Sequence, residues 1–242
     1  MAAVLAAACG TPSPLSRELD VGRDAYAVFV GDARGGSDLY AIPGRGGQAI
    51  PLSYSPVNEL APAMAPDGGT LAFLREAPSG TRSVWVMNLL SGAEREVSQP
   101  DSVAPPERVA WSGDGRTIYV RTVAGGVWQA AAPPARSESR IIPAGPEIDS
   151  AFAVLLGDPV FAEVGRCSAP GERTVICVIT PDGEAPLAAG AAEAARWGRD
   201  SVAYLADGEL MVRPLGPGKV RPVEMDQVPA RIRELTAFGG AR

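Results

Sequence analysis

The side chains that could do chemistry in this sequence are limited first by the absence of histidine. None of the 242 residues is histidine, so the Ser-His-Asp and Cys-His arrangements of nucleophilic catalysis lack their general base. Zinc sites with histidine ligands are excluded for the same reason, and three cysteines are too few for a tetrahedral all-cysteine site. Catalysis by carboxylates is the chemistry that this composition still permits.

Acidic side chains between hydrophobic segments are the remaining catalytic candidates. They are Asp101, Glu107, Glu147, Asp149 and Glu193. Paired carboxylates cleave glycosidic bonds without histidine, so an enzyme acting on envelope polysaccharide is one hypothesis. The alternative is that each residue is a solvated loop charge, since none belongs to a catalytic motif. The sequence contains no Gly-x-Ser-x-Gly nucleophile elbow, and Lys219 is followed by Val220 and not by the Ser or Thr of a P-loop.

Cys9 ends a short apolar run of small residues and resembles the lipidated cysteine of a bacterial lipoprotein signal. Ala6, Ala7 and Ala8 precede it, although Leu is usual at the place of Ala6 and no basic residue precedes the run. The alternative is an alanine-rich N-terminus with an unrelated cysteine. Residues 1–9 are interpreted as a signal that ends at Cys9. Residues 10–22, which contain Pro12 and Pro14, are interpreted as a flexible tether.

Cys167 and Cys177 are the pair that remains if Cys9 is lipidated. They lie ten positions apart around the turn signal Ser168-Ala169-Pro170-Gly171, so they could face each other on neighbouring strands. An oxidising envelope would permit a disulfide between them. The alternative is that both are buried as small hydrophobic side chains.

The net charge of −6 argues against a nucleic-acid partner, because phosphates require clustered Lys and Arg. No apolar segment of about 20 residues is present, so we expect attachment to a membrane only through the lipid. These features predict an exported lipoprotein in the periplasm or on the outer face of the cytoplasmic membrane. We expect a monomer without a cofactor.

Five β-rich segments carry an aromatic residue at spacings of 44, 46, 42 and 43 residues: Phe29, Phe73, Tyr119, Phe161 and Tyr204. A second β-rich segment follows each one, then a tight turn and a third strand candidate, and a further apolar stretch precedes it. Four strands in a period in the forties are typical of propeller blades, which must pack against neighbouring blades. We therefore predict that the aromatic residues pack between blades.

The second repeat, residues 59–98, resembles the repeat of the TolB-type propeller family. Pro62, the turn Pro66-Asp67-Gly68, the strand around Phe73 and the segment Val84 to Asn88 occupy the places of that repeat. The third repeat keeps Asp114-Gly115 and Tyr119, whereas the other repeats keep the spacing without the turn motif. The resemblance implies an all-β propeller that binds proteins without catalysis. In the Asp-Gly turns, Asp accepts backbone N–H bonds and Gly tolerates positive φ, so both are interpreted as structural.

Residues 23–242 are predicted to form one propeller of four-stranded blades, either five blades or an irregular six. The tail from Val228 could supply the innermost strand of a blade that begins at the N-terminus. Trp111 and Trp197 occupy matching places near the ends of innermost strands, where they could stack on a ligand in the channel. The alternative is packing within the blade core. The leading hypothesis for function is a scaffold that binds an envelope protein, and its partner is not specified by the sequence.

Overall fold

The structure of the protein is a computed structural model. It describes residues 15–33, 35–97, 99, 103–133, 140–142, 175–180, 183–189, 191–197, 201–214, 217–227, 229 and 231–240. The strands in this part of the chain are β1 Ala25–Ala33, β2 Gly36–Pro43, β3 Gly47–Gln48, β4 Ile50–Pro51, β5 Asn58–Met64, β6 Thr70–Glu76, β7 Arg82–Asn88, β8 Glu94–Val97, β9 Pro106–Trp111, β10 Thr117–Thr122, β11 Val127–Ala131, β12 Arg140–Ile142, β13 Val175–Thr180, β14 Gly183–Ala189, β15 Ala191–Trp197, β16 Ser201–Ala206, β17 Glu209–Pro214, β18 Arg221–Pro222, β19 Met225–Asp226 and β20 Ile232–Gly239.

These strands form four-stranded antiparallel sheets, as predicted for an all-β propeller. In spatial order, sheet 1 is β20-β1-β2-β4, sheet 2 is β5-β6-β7-β8, sheet 3 is β9-β10-β11-β12 and sheet 5 is β15-β16-β17-β18. Sheet 4 comprises β13 and β14 within the described residues. Strands β13 and β14 pair antiparallel, with Thr180 opposite Gly183.

Strand β6 shows why the sequence of a central strand is almost continuously apolar. Leu71, Ala72, Phe73 and Leu74 are all fully buried. Successive side chains of a strand point to opposite faces of the sheet. Leu71 and Phe73 pack against sheet 1, whereas Ala72 and Leu74 pack against sheet 3. Sheet 2 is therefore covered on both faces by its neighbours.

Two interfaces cover the two faces of sheet 2. The first seam lies between sheets 1 and 2, and its buried core is Leu15, Leu19, Val21, Tyr26, Val28, Val30, Leu39, Ala41, Leu52, Leu71, Phe73, Met87 and Leu89. The second seam lies between sheets 2 and 3, with a core of Ala63, Ala72, Leu74, Val84, Val86, Val97, Val109, Ile118, Val120, Trp128 and Ala130. A third cluster joins sheet 1 to sheet 5. Sheet 1 thus contacts sheets from both ends of the chain.

The C-terminal strand β20 joins these two ends of the chain. It pairs antiparallel with β1, from Ala25 opposite Gly239 to Gly31 opposite Ile232. It occupies the edge of sheet 1, as β5 does in sheet 2 and β9 in sheet 3. The prediction that the tail completes an N-terminal blade is confirmed. A short parallel pairing of β3 with β19 adds a second connection between the same ends.

The predicted packing of the repeating aromatic residues is confirmed for part of the set. Phe29, Phe73 and Tyr204 are buried in the clusters between sheets. Tyr119 is only half-buried and packs on the opposite face of sheet 3 from the second seam. Tyr119 lies five residues after Asp114 of its turn, whereas Phe73 lies six residues after Asp67. Because successive side chains of a strand point to opposite faces of the sheet, this difference of one residue places the two rings on opposite faces. Phe161 lies outside the described residues.

The Asp-Gly turns have the structural role predicted for them. The Asp67 carboxylate accepts the Gly69 N–H at 2.8 Å, and Gly68 has a φ of 66°. A side chain at Gly68 would also collide with the ring of Phe238 on β20. In the equivalent turn, Asp114 accepts the Arg116 N–H at 3.0 Å. These turns connect the first two strands of sheets 2 and 3.

The segment that precedes sheet 1 is packed against the domain. Leu15–Arg17 forms a single 3-10 turn, and Leu15, Leu19 and Val21 are buried in the first seam. Residues 15–22, which were predicted to belong to the tether, therefore belong to the folded domain. The physical reason is that the apolar side chains of Leu15, Leu19 and Val21 are buried in the core of the first seam. In the described part of the chain no helix is long and apolar enough to cross a membrane.

Candidate functional site

The edge strands β20, β5 and β9 surround a cavity of about 270 Å³. Strand β5 contacts both of the others, so the cavity lies where sheets 1, 2 and 3 meet. Its apolar lining consists of Ala61, Pro62, Val109 and Leu235, and its charged lining consists of Arg82, Glu107, Arg108 and Glu234. Strands β9 and β20 each contribute apolar and charged side chains, β5 contributes Ala61 and Pro62, and Arg82 comes from the start of β7.

Two non-glycine residues in this lining have positive φ. Ala61 has a φ of 49° and Glu234 has a φ of 50°. Ala61 lies where the register of β5 shifts, between Leu60 and Ala63. Glu234 lies on β20 opposite a register shift in β1, between Phe29 and Val30. The left-handed region is costly for such residues and is often found at functional sites. A bulge of this kind leaves its extra residue outside the regular ladder and bends the strand.

Side chains from both neighbouring sheets bind the backbone groups that the bulged β5 presents. The Glu234 carboxylate accepts the Ala61 N–H, and the Thr236 hydroxyl accepts the Met64 N–H at 3.0 Å. From the other side, the Trp111 indole N–H donates to the Ala63 carbonyl at 2.9 Å. Strand β5 is therefore held by side chains of both β20 and β9.

The charged groups of the cavity differ in their bonds to other residues and in their exposure to solvent. The Arg82 guanidinium lies 2.7 Å from the Glu76 carboxylate, and Glu234 bonds to β5. Glu107 and Arg108 are exposed at the start of β9. The cavity thus has a rim of both signs above an apolar floor. Among the described residues, no group of three His, Cys, Asp or Glu side chains could hold a metal ion.

The structure places the two tryptophan candidates differently. Trp111 is half-buried beside the edge strands, and its indole N–H is bonded to β5. Trp197 is 7% exposed and packs in the cluster between sheets 1 and 5. A Cβ at Gly44 would lie 2.7 Å from Trp197 Cζ2, so the absence of a side chain at Gly44 makes room for this ring. The position of Trp197 favours packing over ligand contact, and the ligand role of Trp111 stays a prediction.

Several sequence-predicted residues lie outside the described part of the chain. They are Cys9, Cys167, Asp101, Glu147 and Asp149. Cys177 is on β13 and Glu193 is on β15. Of the acidic candidates, the structure brings Glu107 to the cavity together with Glu234, which sequence reasoning did not identify. Glu234 lies in the tail from Val228 that was expected to supply an innermost strand, but the bulge at this residue has no signal in the sequence.

The fold is similar to solved structures of low sequence identity. TolB from Acinetobacter baumannii shares 13% identity over 95% of this chain and 68% of its own, with a TM-score of 0.56. A structure assigned to TolB from Agrobacterium tumefaciens gives 14% identity over 83% and 61%, with a TM-score of 0.40. A structure from Bacteroides uniformis assigned to a 6-phosphogluconolactonase gives 16% identity over 86% and 71%, with a TM-score of 0.33. No family model and no curated protein sequence matched the chain.

Proposed function

We propose that this protein is an exported, non-enzymatic binding module that recognises another protein of the cell envelope through the cavity between β20, β5 and β9. The observation that carries the proposal is the combination of an apolar floor with an exposed rim of both charges. Protein interfaces combine an apolar centre with a polar rim in the same way. The similarity of the fold to TolB supports the same class of function.

The size of the cavity favours a side chain of a partner over a free small molecule. Its volume of about 270 Å³ is at or below the lower end of pockets that hold drug-sized ligands, roughly 300–1,000 Å³. One apolar side chain could enter between Ala61, Val109 and Leu235, while neighbouring groups of the partner pair with the rim. Glu107 and Arg108 are exposed and are the first residues that such a partner would meet.

Export and anchoring rest on the resemblance of the N-terminal residues to a lipoprotein signal. A lipid on Cys9 would hold the domain at a membrane surface, so we expect a partner in the same compartment. Mass spectrometry of the mature protein from its host tests this directly. A diacylglyceryl group on Cys9 supports the assignment, whereas a mature protein with unmodified Cys9 contradicts it.

The binding proposal is tested by affinity purification from detergent-solubilised envelopes of the host, with a tag after residue 242. The variant Glu107→Arg/Arg108→Glu reverses the rim without changing net charge. The matched control, Arg95→Glu/Glu96→Arg, makes the same exchange on exposed positions of β8. We expect one reproducible partner with the original protein and the control, and at least tenfold less with the rim variant. Equal recovery with both variants would contradict binding at this cavity.

A carboxylate enzyme acting on polysaccharide is the second candidate, because Glu107 and Glu234 line the same cavity. Its weakness is that the Glu234 carboxylate already accepts the Ala61 N–H. Among the described residues, those that line the cavity include no aromatic ring on which a sugar could stack. Glycan fragments that co-purify and are cleaved by the original protein, but not by Glu107→Gln, would favour this candidate over the binding module.

A further inference from the structure

A buried carboxylate in the first seam is independent of the proposed function. Glu59, the second residue of β5, is completely buried. Its Oε1 accepts two hydrogen bonds from Arg75, from Nε at 3.0 Å and from Nη2 at 2.8 Å. The same Nη2 atom lies 2.7 Å from Glu94 Oε2, so Arg75 is shared between two carboxylates. The other oxygen, Glu59 Oε2, has no hydrogen-bond partner.

A second buried carboxylate lies on sheet 1. Asp38 on β2 is 7% exposed, and its Oδ1 accepts the Ser55 N–H at 3.1 Å. The Ser53 hydroxyl donates to the same oxygen at 3.4 Å, while its oxygen accepts the Leu39 N–H at 2.9 Å. The negative charge of Asp38 disfavours ionisation of Glu59.

The charges around Glu59 do not balance if every acid is ionised. Asp38, Glu59 and Glu94 would carry three negative charges against the single guanidinium of Arg75. Tyr40 and Tyr54, near Asp38, contribute no positive charge. An ionised carboxylate oxygen that is buried without a donor costs considerable free energy. A proton on Glu59 Oε2 would remove one of these charges.

We propose that the buried, unpartnered Oε2 of Glu59 carries a proton in the folded protein at acidic pH, so that the first seam is held most firmly at low pH. Burial raises the pKa of Glu59, and the charge of Asp38 raises it further, against the lowering effects of Ser53 and Arg75. Because the folded pKa lies above the unfolded one, this stabilisation is complete below the unfolded pKa. It is lost as the pH rises through the folded pKa.

The alternative occupant of this position is a cation bound between Asp38 and Glu59. It is less favoured, because Arg75 already occupies Oε1 of Glu59. Moreover, no set of three acidic, cysteine or histidine side chains in the described ranges could hold a metal. The two alternatives can be distinguished, because a cation requires both carboxylates to be ionised, whereas a proton leaves Glu59 neutral.

Infrared spectroscopy of the full-length protein in D₂O tests the proposal. A protonated carboxyl has a carbonyl stretch that is separate from the carboxylate bands, and Glu59→Gln identifies its source. We expect one such band to persist above the pH range in which the exposed carboxyls titrate, and to be absent in Glu59→Gln. The control Glu94→Gln, which changes the other partner of Arg75, should keep the band.

The proposal would be overturned if the band disappeared in the same pH range in which the exposed carboxyls lose their protons. So would a band that disappears on addition of Ca²⁺, Mg²⁺ or Na⁺ with a rise in melting temperature, which would assign the position to a cation. Should Glu59→Gln not fold, denaturant titrations of the original protein decide the point. Its midpoint must fall with rising pH in the interval where the band is lost, and a midpoint that rises there contradicts the proposal.

Discussion

The two seams on either face of sheet 2 are built by different means. The second seam is apolar throughout its buried core, with Trp128 fully buried at its centre. The first seam combines an apolar core around Phe73 with the buried polar residues Ser37 and Glu59. Ser37 Oγ donates across it to the Glu59 carbonyl at 3.1 Å. On the second seam, packing is supplemented by the hydrogen bond from the Trp111 indole N–H to the Ala63 carbonyl, whereas the first seam adds buried polar side chains to its packing.

The difference has a physical consequence for each interface. Apolar burial is non-directional and does not change with pH, so it stabilises the second seam under all ordinary conditions. Hydrogen bonds between buried polar groups add little net free energy but are costly to break, so they fix how sheets 1 and 2 are aligned. The cavity lies where both seams end, on β5. Alignment at the first seam is therefore expected to set the shape of the cavity.

The largest effects should come from removing the central ring of each seam. Phe73→Ala and Trp128→Ala should each lower the free energy of unfolding by about 3–5 kcal/mol, because both rings are completely buried. Chemical denaturation followed by far-ultraviolet circular dichroism measures this loss. Trp128→Ala should retain the pH dependence of the original protein, because it leaves Glu59 intact. A changed pH dependence in Trp128→Ala would show that the seams are not distinct.

Removal of the charge that faces Glu59 should have the next largest effect. Arg75→Ala deletes both hydrogen bonds to Glu59 and the stacking of the guanidinium over Trp85, whose ring centroid is 4.3 Å away. We expect a loss of about 3 kcal/mol at neutral pH, where the remaining carboxylate is uncompensated. The loss should be smaller at low pH, where Glu59 is protonated. Equal losses at both pH values, measured by denaturation, would contradict a proton on Glu59.

At the second seam, Trp111→Phe should have a smaller effect. It retains a ring but deletes the hydrogen bond to the Ala63 carbonyl, which should cost about 1 kcal/mol. Binding of the partner should persist in Trp111→Phe and be lost in a folded Trp111→Ala if the ring contacts the partner. Retained binding in both variants, measured by affinity purification, would assign Trp111 a purely structural role.

The smallest effect is expected at Asp114, which provides the opposite pH dependence to Glu59. The Ser112 hydroxyl and the Arg116 N–H lower the pKa of this exposed carboxyl. Its stabilisation is present above the unfolded pKa and is lost as the pH falls through the folded pKa. Asp114→Ala should slightly lower the melting temperature at neutral pH and leave it unchanged at acidic pH, where this carboxyl is protonated in both states. A larger decrease at low pH would contradict this role of the turn.

The strands and turns could be predicted from the sequence because their signals are local. Asp67-Gly68 and Asp114-Gly115 mark turns that the structure confirms, and the spacing of Phe29, Phe73 and Tyr204 locates buried strands. The face on which Tyr119 lies was not predictable from a period in the forties, since one residue reverses it.

The cavity could be predicted only in part, because it depends on contacts between distant strands. Glu107 was identified as an acid in a connection, but its neighbour Glu234 is 127 positions away in the chain (234 − 107). The bulge at Ala61 has no sequence signal, as alanine seldom adopts positive φ. Glu59 reads as an ordinary surface charge until Asp38, Ser53 and Arg75 are brought around it by the fold.

The most direct test of the account is site-specific photocrosslinking in the host envelope. A photoreactive amino acid at Arg108, on the exposed rim of the cavity, is compared with one at Leu90, which is 53% exposed in the turn between β7 and β8. Binding at the cavity predicts one crosslinked envelope protein from position 108 and none from position 90. The same crosslink from position 90 alone, or from both positions with equal yield, would contradict the cavity as the recognition site.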